Sequence, residues 1–131
     1  MDLKNDFSLQ DKVIIVTGGT GVLGEAFING IAKAGGTVGV LGRNEKVADE
    51  RVASIKNSGG KAIALIADVT KEDQLNEAKK KAIYEFGKID GLVNAAGGNM
   101  PGAIVQPDQD VFNLNFKATL AEINNILIRL F

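Results

Sequence analysis

The side chains that carry most enzymatic proton and metal chemistry are missing from this 131-residue sequence, which has no histidine and no cysteine. It therefore offers no disulfide framework, thiol nucleophile or zinc–thiolate site, and the commonest general base is gone. What remains for chemistry is backbone, carboxylates, hydroxyls and cations. One stretch uses the backbone. Residues 12–24 read KVIIVTGGTGVLG, within which Gly19, Gly21 and Gly24 spell G-x-G-x-x-G, the dinucleotide-binding fingerprint. Glycines at that spacing permit a tight turn and let N–H groups approach a pyrophosphate with no Cβ in the way. They also let a helix pack closely on a strand. The N-terminus of that helix adds free N–H groups and a positive dipole end. The plainer alternative is a glycine-rich turn that binds nothing.

The elements around that turn are what would position it. Val13, Ile14, Ile15 and Val16 form an apolar run bounded by glycines, which reads as a buried parallel strand over about residues 12–17. A helix follows over about 22–34, with Leu23, Ala26, Phe27, Gly30, Ile31 and Ala34 as its apolar face and Gly35 and Gly36 ending it. Residues 37–41 read as a second strand. Asn44 is expected to cap a second helix carrying Val47, Ala48, Arg51, Val52 and Ile55 on one stripe. Residues 61–67 read as a third strand ending at Asp68. Thr70 is the expected cap of a third helix buried through Leu75, Ala78, Ala82, Ile83 and Phe86, and residues 89–94 read as a fourth strand. Upstream, Phe7 and Leu9 are expected to pin the lead-in. Downstream, residues 95–111 read as a loop and 112–131 as an apolar helix at a packing or oligomer interface.

This alternation predicts a single α/β domain over 1–131, a Rossmann-type doubly wound parallel sheet, partial, with strand order 3-2-1-4 and helices on both faces. Composition agrees with a globular domain: 45% apolar and 24% charged residues, with a net charge of −1. The scattered basic residues point to neither nucleic acid nor an anionic membrane. No apolar run is long enough to span a bilayer, and the polar, acidic start is unlike a signal peptide, so a cytoplasmic setting is expected.

Over about residues 10–100 the chain resembles the short-chain dehydrogenase/reductase family. The resemblance is carried by Thr17-Gly18 with Gly21 and Gly24, by Asp68-Val69, by residues 86–90 (FGKID), and by Asn94-Ala95-Ala96-Gly97. The stretch LVNAAGGNMPGA further resembles the branch of D-mannonate oxidoreductase or fructuronate reductase-like proteins. By this resemblance Gly18, Gly19, Thr20, Gly21, Val22, Leu23 and Gly24 would hold the cofactor pyrophosphate and adenosine ribose. Asp68 would accept a hydrogen bond from the adenine amino group, beside the Val69 backbone. Asn94, Ala95, Ala96 and Gly97 would line the floor near the nicotinamide-side ribose. The plainer roles are a turn residue for Asp68 and a strand-end tie for Asn94.

Two spellings depart from the family pattern. The common T-G-x-x-x-G-x-G is here T-G-x-x-G-x-x-G, the glycine falling at 21 with Val22 after it, and Asn-Asn-Ala-Gly is here Asn-Ala-Ala-Gly. Backbone groups hold phosphate, so neither change removes a donor. Cofactor choice turns on the end of the second strand, where a carboxylate would bind the 2′-OH of NAD. Gly42 stands there, followed by Arg43 and Asn44, and a guanidinium suits a 2′-phosphate. NADP is favoured over NAD; the alternative for Arg43 is a solvated loop cation.

The family's chemistry also needs a tyrosine, a lysine four residues on and an upstream serine. The one tyrosine, Tyr84, has Lys88 at that spacing, but it precedes the fourth strand, away from the edge where such sheets bind ligands. The pair reads as a decoy. A family asparagine corresponds to Asn124 or Asn115, each of which could equally be a helix-surface or capping residue. No catalytic residue is otherwise identified and no metal is expected. The leading expectation is therefore an NAD(P)-dependent oxidoreductase acting on a small carbonyl or alcohol, such as a sugar acid. Its catalytic half would be missing from this chain, which is expected to be inactive alone and to form a homo-oligomer. The alternatives are a non-catalytic NAD(P)-binding module and a short protein in which 112–131 replaces the missing half by dimerisation.

Overall fold

The computed structural model describes residues 7–96. Its strands are β1 (Val13–Thr17), β2 (Thr37–Gly42), β3 (Lys61–Ile66) and β4 (Gly91–Asn94), and its helices α1 (Val22–Lys33), α2 (Glu45–Asn57) and α3 (Glu72–Phe86). All strand pairings are parallel and the order is β3-β2-β1-β4, with Thr17 level with both Leu41 and Asn94. Parallel strands covered on both faces need apolar residues facing both ways, which explains the unbroken runs of the sequence.

Two clusters of buried side chains form, one on each face of the sheet. Val16, Val38, Val40 and Ala62 pack with Ile28 of α1 and with Ala48, Val52 and Ile55 of α2. Ile15, Leu41 and Leu65 pack with Leu75, Ala78 and Ala82 of α3. This is the expected doubly wound arrangement.

Local details differ from the sequence reading in physically explicable ways. The core face of α1 runs through Gly24 and Ile28, whereas Leu23 and Phe27 are exposed. Close seating of Gly24 on β1's exit fixes the rotation of that helix. Ile83 is likewise on the outer side of α3's core stripe, and Phe7 is exposed while Leu9 anchors the lead-in by donating its N–H to Ala34 O at 2.8 Å. The cap of α3 is Lys71, with no side-chain bond, instead of Thr70. Thr70 is drawn away by Asp68, whose Oδ1 accepts from Thr70 N at 2.9 Å and Oγ1 at 2.7 Å in an Asx-type turn. Asn44 does cap α2, accepting from Val47 N at 3.1 Å. The proposed loop 95–111 beyond Ala96 and the helix 112–131 lie outside the described residues.

Candidate functional site

The carboxyl ends of β1, β2 and β4 meet at one turn. β1 ends at Thr17, fully buried, and Gly18 then takes a left-handed φ of 66°, which turns the chain back toward α1. A Cβ on Gly18 would lie 2.5 Å from Ala95 O and 2.6 Å from Ala96 N. Thus the glycine turn and the segment after β4 touch backbone to backbone. Thr17 fastens that contact: its carbonyl accepts from Ala95 N and its Oγ1 from Ala96 N, both at 3.2 Å. Asn94 is exposed at the strand end, level with Thr17. Gly97, Asn115 and Asn124 lie outside the described residues.

Gly19 donates its N–H to Leu41 O at 3.0 Å, tying the turn to β2, and Gly21 N–H closes on Gly18 O at 2.9 Å. Gly21 then caps α1. It has no side chain to satisfy the helix's first N–H groups, in contrast to Asn44 on α2. Those groups belong to Val22, Leu23 and Gly24, which an α-helix leaves without internal partners. The side chains of Val22 and Leu23 are exposed there. Gly24 is buried, and a Cβ on it would overlap the Gly18 carbonyl. The turn is thus packed so closely that a methyl group at 18 or 24 would strike backbone, and its uncapped donors suit an anion.

Toward β2, Gly42 is buried, and a Cβ on it would meet Thr20 Oγ1 at 2.5 Å and Thr20 Cγ2 at 2.7 Å. Beside it lies an open groove of about 700 Å³ lined by Thr20, Arg43, Asn44, Glu45 and Lys46. Asp68 stands after β3, and Val69 next to it is buried in the α3-side cluster. The two hydrogen bonds from Thr70 hold the Asp68 carboxyl below its ordinary value; desolvation opposes them, and the Arg43 and Lys71 charges add lesser help. Its own N–H donates to Gln74 Oε1 at 2.7 Å.

Two basic residues of this region were not singled out as site residues from sequence. Lys46 joins Arg43 in the groove. Arg51 reaches from α2 to the glycine turn, donating from Nη1 to Gly19 O at 2.5 Å and Gly21 O at 2.6 Å. A charged residue on an otherwise apolar stripe was the available signal for Arg51. Tyr84 and Lys88 lie elsewhere. Tyr84 is 88% exposed on α3, and Lys88 Nζ is bound to Asp11 O and to Asp90 at the edge where β1 and β4 begin. Among the described residues no cluster of His, Cys, Asp or Glu could hold a metal, and no helix is long and apolar enough to cross a membrane.

A parallel sheet in the order 3-2-1-4 with a glycine turn at its central strand defines a Rossmann-type nucleotide-binding fold. The chain belongs to the short chain dehydrogenase family, whose profile matches residues 12–129. It is similar to an uncharacterised oxidoreductase, UxuB, of Bacillus subtilis (strain 168), with 39% identity over 97 residues, covering 74% of this chain and 35% of that protein. Among solved structures it resembles a short-chain type dehydrogenase/reductase from Mycobacterium marinum, with a TM-score of 0.88 and 25% identity. That match covers 99% of this chain and 53% of the other. A hydroxysteroid dehydrogenase from Escherichia coli matches with a TM-score of 0.79 and 29% identity, over 96% of this chain and 55% of that one. The chain therefore spans about half the length of these solved relatives. Membership of this family makes a nicotinamide dinucleotide the cofactor class.

Proposed function

We propose that this chain is the cofactor-binding part of an oxidoreductase that takes NADP in preference to NAD. The observation that carries the reading is the pairing of Gly42 with Arg43 at the end of β2. Where an NAD enzyme of this fold has a carboxylate to bind the 2′-OH, Gly42 has none, and Thr20 fills the space that one would need. Arg43 and Lys46 in the adjoining groove supply two cations for a 2′-phosphate dianion, against the single carboxylate of Glu45.

In this reading the Gly18–Gly24 turn holds the pyrophosphate on the uncapped N–H groups of α1. Asp68 receives the adenine amino group, and Asn94, Ala95 and Ala96 floor the nicotinamide side. The cofactor, when bound, supplies the hydride that is exchanged with a carbonyl or alcohol carbon. For the whole protein we propose a small polar substrate of the sugar-acid type, on the strength of the LVNAAGGNMPGA resemblance.

Fluorescence titration with NADPH and NADH tests the cofactor reading. Tighter binding of NADPH is expected. Equal affinities, or tighter NADH, would overturn the preference, and binding of neither would overturn the cofactor site itself.

A further inference from the structure

We propose that Arg51, on α2 and outside the fingerprint, is a positioning residue that sets the phosphate turn from behind and raises dinucleotide affinity. The proposal rests on the reading of that turn as the pyrophosphate site. Its basis is geometric. The carbonyls of Gly19 and Gly21 both accept from one nitrogen, Arg51 Nη1. Its other terminal nitrogen, Nη2, pairs with Glu25 on the first turn of α1 at 3.3 Å. A single guanidinium therefore ties two carbonyls of the turn and the helix that follows to a second helix. The side chain is only 15% exposed, so water competes weakly for these bonds.

The consequence follows from how peptide groups are wired. A peptide whose carbonyl is hydrogen-bonded has a more strongly polarised N–H. The Gly19 and Gly21 carbonyls belong to the peptides whose N–H groups are those of Thr20 and Val22, and Val22 is the first residue of α1. Arg51 thus strengthens donors on the ligand side while fixing the loop's acceptors away from it. Loops of glycine are otherwise free to rearrange, so holding one in its binding geometry lowers the ordering cost of association. Arg51 also places a cation behind the turn, although Glu25 offsets part of its charge.

Arg51 should differ from Arg43 in a way that titration resolves. Both dinucleotides use the turn, whereas only NADPH has a 2′-phosphate. Arg51→Ala is expected to weaken NADPH and NADH by the same factor, about ten-fold, the scale of one lost charge-assisted hydrogen bond. Arg51→Lys, which keeps the charge but not the planar fork, should recover part of the loss. Arg43→Ala should weaken NADPH alone. Hydrogen exchange should quicken at residues 19–24 in Arg51→Ala while residues 38–41 of β2 keep their protection. Unchanged affinities in Arg51→Ala would overturn the proposal. So would a loss that Arg51→Lys does not relieve at all and that comes with faster exchange throughout the sheet, since Arg51 would then merely hold the fold. If the unaltered protein binds neither dinucleotide, the cofactor reading fails, and protection of the turn alone decides whether Arg51 sets its geometry.

Discussion

Thr20 sits where a side chain on Gly42 would have to go: a Cβ at position 42 would lie 2.5 Å from Thr20 Oγ1 and 3.1 Å from Thr20 Cβ. The end of β2, where NAD-binding members of this fold carry a carboxylate, is therefore packed against a residue of the glycine turn. Introducing a carboxylate for the 2′-OH of NAD by Gly42→Asp alone should fail, because the new side chain must displace a β-branched neighbour in a turn that cannot yield freely. The double variant Thr20→Ala with Gly42→Asp removes Oγ1 and Cγ2 and should bind NADH more tightly than Gly42→Asp does. Dissociation constants for both cofactors check this. A single variant that binds NADH as well as the double would show that Thr20 moves aside without cost.

Arg43 tests the preference from the other side. It stands in the groove with Lys46 and projects its field onto Asp68. Arg43→Ala should weaken NADPH binding by roughly 1–3 kcal/mol, the scale of lost charge-assisted hydrogen bonds, and leave NADH nearly unchanged. Equal losses for the two would mean that Arg43 does not meet a 2′-phosphate.

The glycines separate by what surrounds them. A Cβ on Gly24 would overlap the backbone of Gly18, which cannot rotate away as a side-chain tip can. Gly24→Ala should therefore destabilise the domain by about 3 kcal/mol, the upper part of the range for overpacking. Gly30, inside the same helix, has no atom within 4 Å of where its Cβ would stand, so Gly30→Ala should stabilise by about 0.5–1 kcal/mol through helix propensity and a less flexible unfolded chain. Urea unfolding of both variants measures the contrast, and two shifts of the same sign would contradict it.

The contrast between Gly24 and Gly30 also shows what was legible in the sequence. Spacing placed both on one helix, and the alternation of apolar runs with helical stripes was enough to read the order β3-β2-β1-β4. Rotation of α1 was not legible. Leu23, Ala26, Phe27, Ile28 and Ile31 spread apolar surface around more than one face, and only the seating of Gly24 on Gly18 selects the face through Ile28. Thr70 does not cap α3 because an upstream carboxylate, Asp68, competes for the same hydroxyl and N–H. Arg51 was visible as an oddity on an apolar stripe. That its guanidinium reaches the carbonyls of Gly19 and Gly21 depends on the spacing between α2 and the turn, which no local pattern encodes.

Acid should expose a second fastening of the sheet, at the edge away from the site. Asp90 Oδ2 accepts from Val13 N at 2.8 Å and pairs with Lys88 Nζ at 2.9 Å, joining the entry to β4 to the first residue of β1. The Val13 N–H is the largest cause holding the Asp90 carboxyl below its ordinary value of 3.8, followed by the hydrogen bond from Lys88, with desolvation opposing both. A carboxyl whose value is lower in the folded than in the unfolded chain stabilises the fold at every pH above the unfolded value. That contribution drains away as pH falls through the lowered folded value. Asp90→Asn keeps a neutral acceptor for Val13 but removes the charge from both bonds. Its Tm should lie below that of the unaltered protein at pH 7, and the gap should narrow once pH drops beneath the ordinary aspartate value. Thermal unfolding of the two proteins across acid pH measures the gap directly. A gap that stays constant down to the lowest pH at which both fold would mean that Asp90 acts through shape, not through its charge.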